Sequence, residues 1–73
     1  MNDIKEILAL NVKYYRKKRN LSQEELSFNS GLHRTYISSI ECKRRNISIE
    51  SLAKIAKVLN VEPYILIKER DEY

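Results

Sequence analysis

The sequence predicts an all-α fold, a compact bundle of five helices. A single glycine and a single proline in 73 residues argue against a β-protein rich in turns. Apolar residues recur at three- and four-residue spacing, as they do on one face of a helix. A chain this short has no room for a second core. We therefore expect one domain over residues 1–73, with helices over about residues 3–19, 23–30, 34–42, 49–59 and 63–68.

The first helix is predicted by a stripe of apolar residues on one face. The stripe consists of Ile4, Ile7, Leu8, Val12 and Tyr15. Asp3 followed by Glu6 can form a capping box at the start of this helix. Asn20 suits its end, because asparagine tolerates the left-handed backbone that closes many helices.

The second and third helices are short and lie on either side of the only glycine. Ser22 followed by Glu25 is a capping box that opens the second helix. Gly31 closes it, because glycine adopts a positive φ without steric cost. In the third helix Ile37 and Ile40 face inward. Its outward residues are short and polar, which helix stability alone does not favour. They are Arg34, Thr35, Ser38 and Ser39.

The last two helices are indicated by their end signals. Ser48 caps the fourth helix and Asn60 closes it. Pro63 suits the first turn of the fifth helix. That helix is apolar on all sides over residues 64–67, so we expect it to bury more than one face.

Positive charge is concentrated in the middle of the chain. The net charge is +4, but residues 13–45 hold nine basic side chains against three acidic ones. The two flanking segments each carry a net charge of −1. An anionic partner is therefore expected at the middle third, the alternative being a solubilising surface.

Several functional classes are excluded at this stage. Cys42 is the only cysteine, so no internal disulfide can form, and Cys42 with His33 is too small a set for a metal site. No group of side chains suits acid–base or nucleophilic catalysis, so we expect neither an enzyme nor a cofactor nor a small-molecule substrate. No secretory signal or membrane-spanning stretch is visible, and we expect a cytoplasmic protein.

Two short helices joined by a glycine-containing turn describe a helix-turn-helix motif. In this motif the second helix enters the DNA major groove and its N-terminal residues contact base edges. Here that end carries residues 33–36, where Arg34 can bond guanine through two hydrogen bonds. Gln23 lies at the start of the preceding helix, where backbone N–H groups favour a phosphate. The basic run Lys43–Arg45 can reach the DNA backbone.

The sequence resembles the phage-repressor-type (Cro/cI-like, XRE) helix-turn-helix family over residues 8–67. The matching stretches are Leu21–Leu26, Gly31–Leu32, Tyr36–Ser38, Ile40–Glu41, Arg45–Asn46 and Ser51–Ala56. Residues 33–38 with Arg45–Asn46 are most similar to the controller proteins of restriction–modification systems. The resemblance implies a lambda-repressor-like DNA-binding domain. It also implies a homodimeric transcriptional regulator that binds double-stranded DNA at a two-fold-symmetric operator, in a bacterial or phage-infected cell and on its nucleoid.

The resemblance also implies roles for individual residues. Base contacts are expected from Arg34, Thr35, Tyr36, Ser39 and Arg45. Phosphate contacts are expected from Ser22, Gln23, His33, Ser38, Lys43, Arg44 and Asn46. The dimer interface is expected at Ile47, Ile49, Val58, Val61, Tyr64, Ile65 and Ile67. Arg16 and Glu41 match positions at which the family keeps an internal ion pair.

Alternatives remain open at this point. Tyr36 can pack instead of contacting DNA, and His33 can cap the third helix. The family often has glycine where this chain has Asn20, Lys43 and Asn60, and we expect the loop at Lys43 to differ because lysine disfavours a positive φ. The alternative function is that of an antitoxin-type helix-turn-helix protein, which binds a partner toxin and represses its own operon.

Overall fold

In the computed structural model, which describes residues 3–70, the chain forms four α-helices and one 3₁₀ helix and no strand. The elements are α1 (Ile4–Lys18), α2 (Gln23–Ser30), α3 (Arg34–Glu41), α4 (Ile49–Leu59) and a 3₁₀ segment (Pro63–Ile67). The all-α class is confirmed. The expected fifth helix, over residues 63–68, is present over residues 63–67 as a 3₁₀ helix and not as an α-helix. Within residues 3–70, every helix is too short or too polar to cross a bilayer.

The core lies where α1, α2, α3, α4 and the 3₁₀ segment meet, and each of them contributes to it. Its fully buried members are Leu8, Val12, Leu26, Ile37, Ile40, Ile55, Ala56, Leu59 and Leu66. The helices α2 and α3 pack on each other, and α1 packs on both α3 and the 3₁₀ segment. Ile4 was expected on the inner stripe of α1, but its side chain is 53% exposed because it lies in the first turn, beyond the core.

The helix ends follow local chemistry. The side chains of Asp3, Ser22, His33 and Ser48 each accept a hydrogen bond from a backbone N–H two or three residues later. Each of these bonds satisfies an amide that has no partner within its helix.

Four residues after helix ends have left-handed backbones: Asn20, Gly31, Lys43 and Asn60, with φ of 57°, 76°, 66° and 59°. At Lys43 the conformation is held by a Schellman motif. The Lys43 N–H donates to the Ile40 carbonyl at 3.1 Å, and the Arg44 N–H donates to the Ser39 carbonyl at 3.0 Å. Lysine therefore occupies the left-handed region here, like the two asparagines, and the expectation that the backbone differs at this position is wrong.

The 3₁₀ segment is fixed by a buried side chain that the sequence analysis did not single out. Asn11 of α1 is fully buried, and its Nδ2 donates to the carbonyls of Ile65, Leu66 and Lys68 at 3.2, 3.0 and 2.9 Å. These contacts hold the segment against α1 without a continuing α-helical ladder. Of residues 63–67 only Leu66 is buried within the chain, so burial of a second face of this element stays a prediction that depends on the expected dimer.

Candidate nucleic-acid interface

A nearly buried ion pair sets the position of α3. Arg16 of α1 donates through Nε to Glu41 Oε2 at 2.7 Å and through Nη2 to Glu41 Oε1 at 3.0 Å. The guanidinium also donates through Nη1 to the Leu21 carbonyl at 2.7 Å. Gln23, in the first turn of α2, donates through Nε2 to Glu41 Oε1 at 3.1 Å. The ion pair expected between Arg16 and Glu41 is therefore present, and it joins α1, α2 and α3.

The N-terminal end of α3 is open to solvent. His33, Arg34 and Thr35 are all exposed, whereas Tyr36 is half-buried. The ring Nδ1 of His33 accepts from the Thr35 N–H at 3.1 Å, so His33 is the N-cap of this helix. An accepting Nδ1 leaves the ring hydrogen on Nε2, which can donate to an external acceptor.

Two further expected contact residues, Ser38 and Ser39, lie about one turn further along α3. Ser38 and Ser39 are half-buried, and Ser39 Oγ donates to the Thr35 carbonyl at 2.8 Å. A serine hydroxyl that donates to its own helix keeps lone pairs with which it can accept another hydrogen bond.

The loop after α3 brings one cationic side chain, that of Arg45, back to the first turn of α3. Residues 43–46 are all exposed. The Arg45 guanidinium lies over the Tyr36 ring, 5.3 Å from its centroid, in a cation–π contact. Lys43 Nζ forms an ion pair with Glu6 Oε2 of α1 at 3.1 Å. The structure thus brings Arg45 to α3 and directs Lys43 towards α1.

The start of α2 carries the two remaining expected phosphate contacts. Ser22 Oγ accepts from the Glu25 N–H at 3.0 Å, and the Glu25 carboxylate accepts from the Ser22 N–H at 2.8 Å. Ser22 is exposed. Gln23 is half-buried, and its amide is directed to Glu41, which the sequence analysis did not foresee.

The residues expected at a dimer interface are partly exposed. Ile49, Tyr64 and Ile67 are 82, 59 and 41% exposed. The other four, which are half-buried, are Ile47, Val58, Val61 and Ile65.

Three of the seven line a common apolar groove of about 260 Å³: Ile47, Ile49 and Ile67. Ile65 and Val61 line two other recesses. The groove also contains Ile4, which the sequence analysis assigned to the core. Ile4 lies in the first turn of α1, ahead of the rest of the apolar stripe. That position is the sequence signal that could have indicated that Ile4 is exposed.

Comparison with known proteins gives concordant matches. A helix-turn-helix family model (HTH_3) matches residues 12–66. Control protein C.SmaI of Serratia marcescens is 54% identical over 68 residues, which cover 92% of this chain and 81% of that protein.

Two solved structures resemble this one closely. The restriction-modification controller protein C.AhdI from Aeromonas hydrophila has a TM-score of 0.82 at 35% identity, covering 85% of this chain and 94% of that chain. The N-terminal DNA binding domain of SinR from Bacillus subtilis has a TM-score of 0.86 at 35% identity, covering 92% of this chain and 99% of that chain.

Proposed function

The chain belongs to the helix-turn-helix family, and from this premise we propose that it is a sequence-specific DNA-binding transcriptional regulator that acts as a homodimer. The observation that carries the proposal is the exposed first turn of α3, with Arg34 and Thr35 in solvent and Arg45 of the following loop over the Tyr36 ring. Side chains at this end of a recognition helix contact base edges, and flanking cations hold the DNA backbone.

We assign the residues of this surface to two sets. The set that reads bases consists of Arg34, Thr35, Tyr36, Ser39 and Arg45. The set that holds phosphates consists of Ser22, His33, Ser38, Lys43, Arg44 and Asn46. Gln23 contributes to the phosphate set through the backbone N–H groups of the first turn of α2, since its side-chain amide is bonded to Glu41.

The similarity to C.SmaI and C.AhdI supports a more specific role. We propose that the protein controls the genes of a restriction–modification system by occupying the promoter region of its own gene. It would work in the cytoplasm of a bacterial or phage-infected cell, on the nucleoid. Footprinting on the DNA upstream of its gene tests this role. A protected, two-fold-symmetric site next to a nuclease or methyltransferase gene is the expected result, and protection far from any such gene contradicts it.

Sequence specificity is tested separately by fluorescence anisotropy with a labelled upstream duplex and a random-sequence duplex. We expect at least about a thousandfold tighter binding to the upstream duplex, the lower end for specific DNA-binding proteins. Equal affinity for the two duplexes would contradict a sequence-specific regulator.

A homodimer is proposed because large apolar side chains remain exposed on α4 and the 3₁₀ segment. Two copies would place their recognition helices about 34 Å apart, one helical turn of DNA. Ile49→Glu should yield monomers in sedimentation velocity, because its charge would be buried in the interface. Phe28→Glu is the matched control, since Phe28 is an equally exposed apolar residue on α2. Dimers in the Ile49 variant would place the interface elsewhere.

A further inference from the structure

One cation of the proposed DNA-binding surface is already paired with an anion. Lys43 Nζ lies 3.1 Å from Glu6 Oε2, and the pair connects the loop after α3 to the first turn of α1, 37 residues away in sequence. Both side chains are partly open to solvent, 48% exposed for Lys43 and 37% for Glu6. Within residues 3–70, Lys43 is the one member of the run 43–45 that forms an ion pair with a carboxylate.

The backbone conformation at Lys43 fixes the point from which its side chain extends. Lys43 is held in the left-handed region by two hydrogen bonds that close α3, from the Lys43 N–H and from the Arg44 N–H. The start of its side chain is therefore fixed, and its flexible four-carbon stem determines where the ammonium group goes. That group can reach the Glu6 carboxylate, and by rotation of the stem it can turn to another anion instead.

Glu6 is held where it is by its own helix. It lies in the first turn of α1, where the partial positive charge of the helix N-terminus favours a carboxylate. Its negative charge therefore stays beside the loop of residues 43–46 whether or not Lys43 is paired with it. A DNA phosphate that approaches Lys43 must replace this carboxylate as its partner.

We propose that Glu6 competes with DNA phosphate for Lys43 and thereby limits the affinity of the protein for DNA. The inference rests on the proposed function, because it needs the loop of residues 43–46 to face the DNA backbone. Phosphate contacts do not depend on base sequence, so the restraint acts equally on specific and nonspecific binding. A partly exposed ion pair is a weak competitor, so its removal should change affinity by a few fold rather than by orders of magnitude.

The test uses the full chain and a labelled random-sequence duplex in fluorescence anisotropy at a fixed low salt concentration. Glu6→Gln should bind about two- to fivefold more tightly than the wild type. Glu50→Gln is the matched control, because Glu50 is also an exposed glutamate in the first turn of a helix. It removes the same charge without breaking the ion pair between Lys43 and Glu6, and its effect measures the general change in net charge.

The Lys43→Gln background separates competition from simple repulsion. If Glu6 acts by holding Lys43, then Glu6→Gln should tighten binding no more than Glu50→Gln does once Lys43 is gone. An equal gain in both backgrounds, a gain no larger than the Glu50 control, or weaker binding by Glu6→Gln would each overturn the proposal. A wild-type protein that binds no duplex at all would instead refute the proposed function.

Discussion

Truncation of Glu41 should remove a large part of the stability of the fold. The Glu41 side chain is 3% exposed, and its carboxylate accepts three hydrogen bonds, two from Arg16 and one from Gln23. In Glu41→Ala the Arg16 side chain, which is 10% exposed, keeps its hydrogen bond to the Leu21 carbonyl and loses both bonds to the carboxylate. An uncompensated charge of this kind destabilises a protein by about 3–5 kcal/mol.

That loss is large compared with what a domain of this size has. At about 0.05–0.15 kcal/mol per residue, a chain of 73 residues is stable by roughly 4–11 kcal/mol. The expected loss therefore lies between about a quarter of this stability and all of it. Because Arg16 and Gln23 lie on α1 and α2, the loss also releases the C-terminal end of α3 from both helices.

Urea denaturation followed by circular dichroism measures the effect. Glu24→Ala is the control, an exposed glutamate on α2 whose truncation should change the free energy of unfolding by less than about 0.5 kcal/mol. The double variant Arg16→Met with Glu41→Leu should recover much of the loss, because no buried charge remains. A loss below about 1 kcal/mol in Glu41→Ala, or a double variant less stable than the single one, would refute this reasoning.

Three further predictions concern other parts of the molecule. Asn11→Leu should lower the free energy of unfolding by about 2–3 kcal/mol in the same urea assay, since buried carbonyls of the 3₁₀ segment lose their donor. Gly31→Ala should lower it by about 1–2 kcal/mol through backbone strain alone, because φ is +76° and the space around the Cβ position is empty; an unchanged midpoint contradicts this. Arg44→Ala should weaken specific and random-sequence duplexes alike and reduce the salt slope by about one; a wild-type slope removes Arg44 from the phosphate set.

The helix boundaries were predictable because their signals are local. The Ser22–Glu25 capping box and the left-handed Asn60 act within a few residues of the chain, and both are present as expected. The ion pair between Arg16 and Glu41 was expected only from the family resemblance, since no local pattern pairs two charges 25 residues apart.

What was not predicted depends on contacts between distant segments. Asn11 lies three residues after Leu8 and so on the inward face of α1, a position where a polar residue signals a buried partner. Its partners are backbone carbonyls 54 to 57 residues away. Every residue has a backbone carbonyl, so the sequence does not show which of them accept these hydrogen bonds. The same contacts hold residues 63–67, so the 3₁₀ form of this segment was not predictable either.

The pairing of Lys43 with Glu6 has a similar origin. Neither residue indicates the pair by itself, because Glu6 is an acidic residue in the first turn of a helix and Lys43 is part of a basic run. Only the packing of α1 against α3 brings their side chains within 3.1 Å. For the same reason, the sequence indicated a cationic loop but did not show that the charge of Lys43 is already paired with that of Glu6.

The central claim is that the N-terminal end of α3 reads base sequence, and the binding specificity of Arg34→Ala tests it most directly. The measurement compares affinities for the upstream site and for a series of sites with single base-pair substitutions. We predict a loss of about 1–3 kcal/mol on the intact site and loss of preference at one base pair, with the other preferences kept. A variant that ranks all the sites as the wild type does would contradict the claim.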